Sequence, residues 1–224
     1  GPEALLGGYF LTPQTNPPTP WPAEKFADLF TQEVTEGMVV ARRERRASAG
    51  LVATATTATG ATATDESLVR GAARTAVATG VPLVLAFGAD ALHDLGIAMG
   101  EGLPAARIAV SGLDRCDAVA AGVPAAVSEL GAYVALDHVG WDDDAFITDA
   151  ERAALVAALI EAGFADRILL SSSAVGVAKG IPGTTVGYAQ VLTDFVPILR
   201  AHGIEQDAID RILIANPCDL LTGK

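Results

Sequence analysis

The chain has 224 residues, half of them hydrophobic but only 5% aromatic, with 15 Lys and Arg against 27 Asp and Glu. That length supports a sizeable core built mostly from Ala, Val, Leu and Ile. The net charge of -12 argues against a nucleic-acid or anionic-membrane partner, because attraction to phosphate needs clustered positive charge.

Cys116 and Cys218 lie far apart and form no metal or redox motif. No cationic start followed by an apolar run reads as a leader. No apolar stretch approaches the roughly 20 residues of a spanning helix. The expectation is a cytoplasmic protein without a disulfide framework.

In chain order, Ala4–Phe10 reads as a strand, followed by a proline-rich stretch from Thr12 to Pro22. Phe26, Leu29, Phe30, Val34 and Met38 then recur at helical spacing. Arg42, Arg43, Arg45 and Arg46 read as a solvated charge run. A β-branched strand at Ala49–Thr56 leads to a helix at Asp65–Thr79, stopped by Gly80. Val81–Phe87 is the next strand, with Pro82 at its start, where a missing N–H is tolerated. A helix at Ala91–Gly100 and a strand at Arg107–Ser111 follow.

Asp117–Leu130 reads as a helix broken near Gly122 and Pro124, leading into the strand Tyr133–Asp137. Thr148 and Glu151 form a capping box for a helix over Asp149–Ala162, and Gly163 ends it. Arg167–Ser171 is the last strand. Helical patterns at Val191–Ala201, where Pro197 predicts a kink, and at Gln206–Ala215 close the chain.

Strand–helix units in succession predict an α/β fold with a parallel sheet and outer helices. Six strands are counted over a single domain, 1–224. That is two short of the eight-stranded (β/α)8 TIM barrel, and the deficit falls at the N-terminus.

With the strands placed, several phrases resemble the phosphotriesterase family of the amidohydrolase superfamily. They are Thr79-Gly-Val-Pro82, Leu136-Asp-His138, Ala162-Gly-Phe164 before Arg167-Ile-Leu-Leu-Ser171, and Asn216-Pro217. The resemblance implies a (β/α)8 barrel with two metal ions at its mouth, which polarise an ester or lactone and supply hydroxide. It also implies ligands: an HxH pair, a carboxylated lysine, two histidines and an aspartate. The lysine position falls at Ala53, the two histidines at Ala86 and Gly112, and the aspartate at Ser173; the HxH pair has no counterpart. Ala and Gly side chains cannot coordinate a metal, and a neutral Ser is a poor ligand. The expectation is a pocket without metal or other cofactor.

Asp137 and His138 remain at a strand end. The resemblance implies a proton-shuttling pair there, here free to act as base and acid without metal, or else a relict that holds the rim. Asp114, also at a strand end, reads as a third site candidate, or as a loop carboxylate that pairs with Arg115 or caps the next helix. Ser171–Ser173 lack a nucleophile elbow. Gly176–Gly183 reads as a rim loop, Asp142–Asp144 as a solvated run, and His93 and His202 as surface residues.

Three functions compete on this reading. One is a barrel that binds a small organic molecule or carries out metal-independent chemistry in the old pocket. The second is a non-catalytic subunit in a homo- or hetero-oligomer that completes or regulates a partner barrel. A metal-dependent ester or lactone hydrolase is a distant third.

Overall fold

The computed structural model describes residues 21–40, 44–56, 61–86, 90–174 and 186–224. The strand expected at Ala4–Phe10, the residues Arg42, Arg43 and Phe87, and the Gly176–Gly183 loop lie outside them. The chain divides into two compact units, Gly1–Val110 with Leu220–Lys224, and Ser111–Asp219.

In the first unit, α1 (Ala23–Thr35) buries Phe26 and Phe30. The helix ends before Met38, contrary to the apolar spacing, because Gly37 turns at φ 102° and Met38 donates its N–H to the Ala47 carbonyl instead. A two-residue antiparallel ladder follows, β1 (Val39–Val40) with β2 (Glu44–Arg45). Arg45 and Arg46 pair with Glu36 and Glu44 in solvent, as a charge run should.

Helix α2 (Ala63–Thr79) opens with a capping box between Thr62 and Asp65 and stops at the left-handed Gly80. It packs closely on α1: a Cβ at Gly71 would lie 2.5 Å from the Phe26 Cβ and 2.6 Å from the Ala23 carbonyl oxygen. Strands β3 (Val52–Ala55) and β4 (Leu83–Ala86) pair in parallel, from Val52 opposite Leu83 to Ala55 opposite Ala86. Helix α3 (Ala91–Gly100) is capped by Asp90, and β5 (Ile108–Ser111) follows.

The second unit opens with α4 (Cys116–Ala120) and α5 (Val123–Glu129), divided at Gly122, which takes φ 72°. Strand β6 (Tyr133–Leu136) is buried throughout and pairs in parallel with β7 (Ile168–Leu170), Val134 opposite Ile168 and Leu136 opposite Leu170. Burial of both faces is what a parallel strand this apolar requires. Helix α6 (Asp149–Glu161) carries the expected Thr148–Glu151 capping box.

Two later helices deal with proline in the same way. A π turn at Val191–Phe195 runs into α7 (Val196–Ala201), and α8 (Gln206–Asp210) runs through a π turn at Arg211–Ala215 into α9 (Asn216–Thr222). In each, the residue before the proline bonds five residues back, Val196 to Val191 and Asn216 to Arg211. The wider turn relieves the clash a proline ring makes with the preceding turn. The last helix therefore continues past Ala215, where the apolar pattern ends. Asn216 is fully buried and donates its side-chain amide to the carbonyls of Ala165 and Ile168 at 2.9 and 2.8 Å, which anchors the Asn-Pro phrase on β7. Among the described residues, no helix is long and apolar enough to cross a membrane.

Candidate functional site

The polar residues at the strand ends of the second unit form two separate networks. Asp137 and His138 are adjacent in sequence, but their side chains bond different partners, because successive side chains at a strand end point to opposite sides.

Asp137 accepts hydrogen bonds from the Ser111 hydroxyl at 2.7 Å, the Gly112 N–H at 2.7 Å and the Ser171 hydroxyl at 3.0 Å. The donors come from the ends of β5 and β7. Gly112 takes φ 74° as it offers its N–H, a backbone conformation that strains a side chain carrying a Cβ.

His138 turns instead to Asp114. Its backbone N–H donates to Asp114 Oδ2 at 2.7 Å, and its Nδ1 lies 2.8 Å from Oδ1. The ring stacks on Phe146, with centroids 3.6 Å apart, and meets Trp141 edge-on at 5.5 Å. Trp141 in turn donates its indole N–H to the Ser172 carbonyl at 2.6 Å.

Asp114 is fully buried, and its second charge partner is Arg152 of α6, with Nε 2.9 Å from Oδ2. The alternative pairing with Arg115 does not form, since Arg115 bonds Asp117 at 3.0 Å. Arg152 is itself fully buried, donates to the Ile147 carbonyl at 2.9 Å and pairs with Asp149. Asp149 also accepts the Gly140 N–H at 3.0 Å, which returns the network to the loop that carries His138.

Burial alone would raise the Asp114 carboxyl. The hydrogen bonds from His138 and the Arg152 charge outweigh it and hold the group below the ordinary aspartate value. An ionised carboxylate only accepts, so the network assigns a proton to His138 Nδ1, and in the neutral ring Nε2 is then the nitrogen that carries the lone pair. The arrangement is a carboxylate-oriented imidazole, able to take and return a proton at Nε2.

Arg152 does not stand out from its neighbours in sequence as a site residue. The signal lay in α6, where the buried positions Arg152, Ala153, Val156 and Leu159 trace one stripe. A charged residue in such a stripe requires a buried partner.

Ser171 and Ser172 also line a cleft of about 450 Å³, together with Leu170, Ser173, Ala174, Tyr188, Val191, Leu192 and Leu213. The cleft thus touches the Asp137 network through Ser171 and the Trp141 contact through Ser172. Asp142–Asp144 are exposed, as a solvated run should be.

The four positions implied for metal ligands are occupied as follows. Ala53 is buried within β3, Ala86 ends β4, Gly112 follows β5, and Ser173 sits after β7 with a left-handed φ of 44°. Among the described residues, no group of three or more His, Cys, Asp or Glu could hold a metal ion. Among the described residues, the donor set does not fit a binuclear centre.

The profile of the phosphotriesterase family matches residues 9–221. The phosphotriesterase homology protein of Escherichia coli is 29% identical over 172 residues, 75% of this chain and 58% of that protein. Its crystal structure, with phosphate in the active site, superposes with a TM-score of 0.78 at 25% identity, covering 90% of this chain and 68% of that one. The organophosphorus hydrolase of Deinococcus radiodurans gives 0.76 at 25% identity, covering 89% and 62%. Human N-acetyltaurine hydrolase is 31% identical over 105 residues, 43% of this chain and 30% of that protein. The chain spans about three fifths of the length of the bacterial relatives it matches, 58% and 60% of the two.

Proposed function

Because the chain belongs to the phosphotriesterase family, we propose that it is a member working without the family's metal centre, on a small organic molecule at the end of β7. The carrying observation is the His138–Asp114 pair, whose buried carboxylate fixes the ring at Nδ1 and leaves Nε2 to exchange a proton. The cleft lined by Ser171–Ser173 supplies hydroxyls for an acyl or ester group, and Leu170, Val191 and Leu213 supply apolar surface. Asp137, held by three donors, keeps the serine side of the cleft in place rather than acting as a second base. A metal-hydroxide mechanism finds no ligands at Ala53, Ala86, Gly112 and Ser173.

The test presents lactones, organophosphate esters and N-acyl amines to the purified chain, once with a chelator and once with added zinc. Little turnover of lactones and organophosphates is expected. Any turnover found should be indifferent to both additions and fall about a hundredfold or more in His138→Gln. Turnover that appears only with zinc, or that ignores the His138 substitution, overturns the reading.

A second reading, a subunit that completes or regulates a partner barrel, draws on β7. Among the described residues this strand pairs on one side only, and Tyr188 and Leu192 beside it are 73% and 62% exposed. Unpaired edges and exposed apolar surface invite another polypeptide.

A further inference from the structure

Arg152 has a role that rests on the reading of His138 as the proton-exchanging group. We propose that Arg152 is the positioning residue of the pair, acting on His138 through Asp114.

Among the described residues, the Arg152 guanidinium and the His138 imidazole are the ionisable groups within bonding distance of Asp114. A guanidinium cannot lose its proton in a protein, so it presents a permanent charge to a carboxylate that has no solvent contact. That charge keeps Asp114 ionised, and an ionised Asp114 dictates which ring nitrogen of His138 carries the proton. Without it, the buried carboxyl gains by protonating, and a protonated carboxyl can donate to Nδ1 as readily as accept from it. The tautomer would then no longer be dictated.

Geometry adds a second constraint. The planar fork bonds three partners, Asp114, Asp149 and the Ile147 carbonyl. Ile147 donates its own N–H to the Asp114 carbonyl at 3.0 Å. The carboxylate is therefore clamped from its backbone and its side chain together, and the His138 ring, pressed on Phe146, is left a single orientation. Arg152 is not among the residues that line the cleft, and its direct link to the imidazole is the shared Asp114 carboxylate.

The experiment reads the histidine ring nitrogens by 15N NMR in the full chain. It contains three histidines, and His138→Gln identifies the resonance. When its ring is neutral, His138 of the unaltered protein should show the Nδ1–H tautomer. Arg152→Gln should lose that preference and show mixed tautomers, whereas Arg152→Lys, which keeps the charge, should retain most of it. A folded Arg152→Gln protein that keeps the Nδ1–H tautomer overturns the proposal.

Should Arg152→Gln fail to fold, the unaltered protein still decides. The Arg152 Nε–H resonance should shift as His138 takes up a proton, and that shift should vanish in His138→Gln. An Nε–H that ignores His138 protonation also overturns the proposal. If the unaltered protein lacks the Nδ1–H tautomer, the reading of the His138–Asp114 pair itself is what fails.

Discussion

Replacing Asp114 by Asn keeps the shape of the side chain and removes its charge. Asp114 is fully buried and accepts from the His138 N–H, His138 Nδ1–H and Arg152 Nε–H. An asparagine offers one oxygen, so its NH2 group must face at least one of these donors. Arg152, without solvent contact, is left with Asp149 as its remaining ion pair. Breaking a buried pair in this way costs about 3–5 kcal/mol, a large fraction of a domain's total stability of about 5–15 kcal/mol.

The loss should depend on pH with a definite sign. The folded carboxyl lies below its unfolded value, which is about 3.9. Its contribution is therefore complete above about pH 4 and disappears as the pH falls through the lower folded value. Urea denaturation of the parent and Asp114→Asn proteins at neutral pH and in acid is the assay. The gap between them should be wide at neutral pH and narrow in acid. A gap below about 1 kcal/mol at neutral pH, or one that does not change with pH, would refute the view that this network is tightly coupled and buried.

Asp94 should behave in the opposite sense. Burial pushes its carboxyl up, with the Thr56 hydroxyl bond only partly opposing, so its folded form loses stability as the pH rises above the unfolded value. Asp94→Asn should raise the melting temperature at neutral pH and not in acid; a lower neutral melting temperature contradicts this. Gly71→Ala should destabilise by about 1–3 kcal/mol despite alanine's better helix propensity, because the new Cβ meets Phe26 and the Ala23 carbonyl; a stabilised variant in urea denaturation would show that α1 can step aside. Elemental analysis after dialysis against zinc should find no stoichiometric metal, and two tightly held ions per chain would refute the reading of the ligand positions. Light scattering behind a sizing column should find an assembly larger than one chain at low micromolar concentration; a monomer with a sharp cooperative melt would mean the edge of β7 is protected in some other way.

The alternation of strands and helices was legible because each element announces itself within a few residues. Thr148 with Glu151 starts α6, Gly80 and Gly163 take the left-handed turns that end their helices, and β6 is apolar at every position from Tyr133 to Leu136 except for the tyrosine hydroxyl. The absence of donor side chains at Ala53, Ala86 and Gly112 is likewise a matter of residue identity, which no folding changes.

The partners of the polar residues were not legible. His138 sits beside Asp137 in sequence, yet bonds Asp114, 24 residues away. Asp114 sits beside Arg115, yet takes Arg152, 38 residues away. Adjacent residues at a strand end project to opposite sides, and a carboxylate buried without water must find its donors wherever the packed loops bring them. The same holds for the passage of the last helix through Pro217, which a widened turn permits and no local propensity predicts. Caps, turns and apolar runs act through the nearest few residues and so can be read along the chain. The choice of charge partner is made by strand register and by burial, and these exist only once the chain has folded.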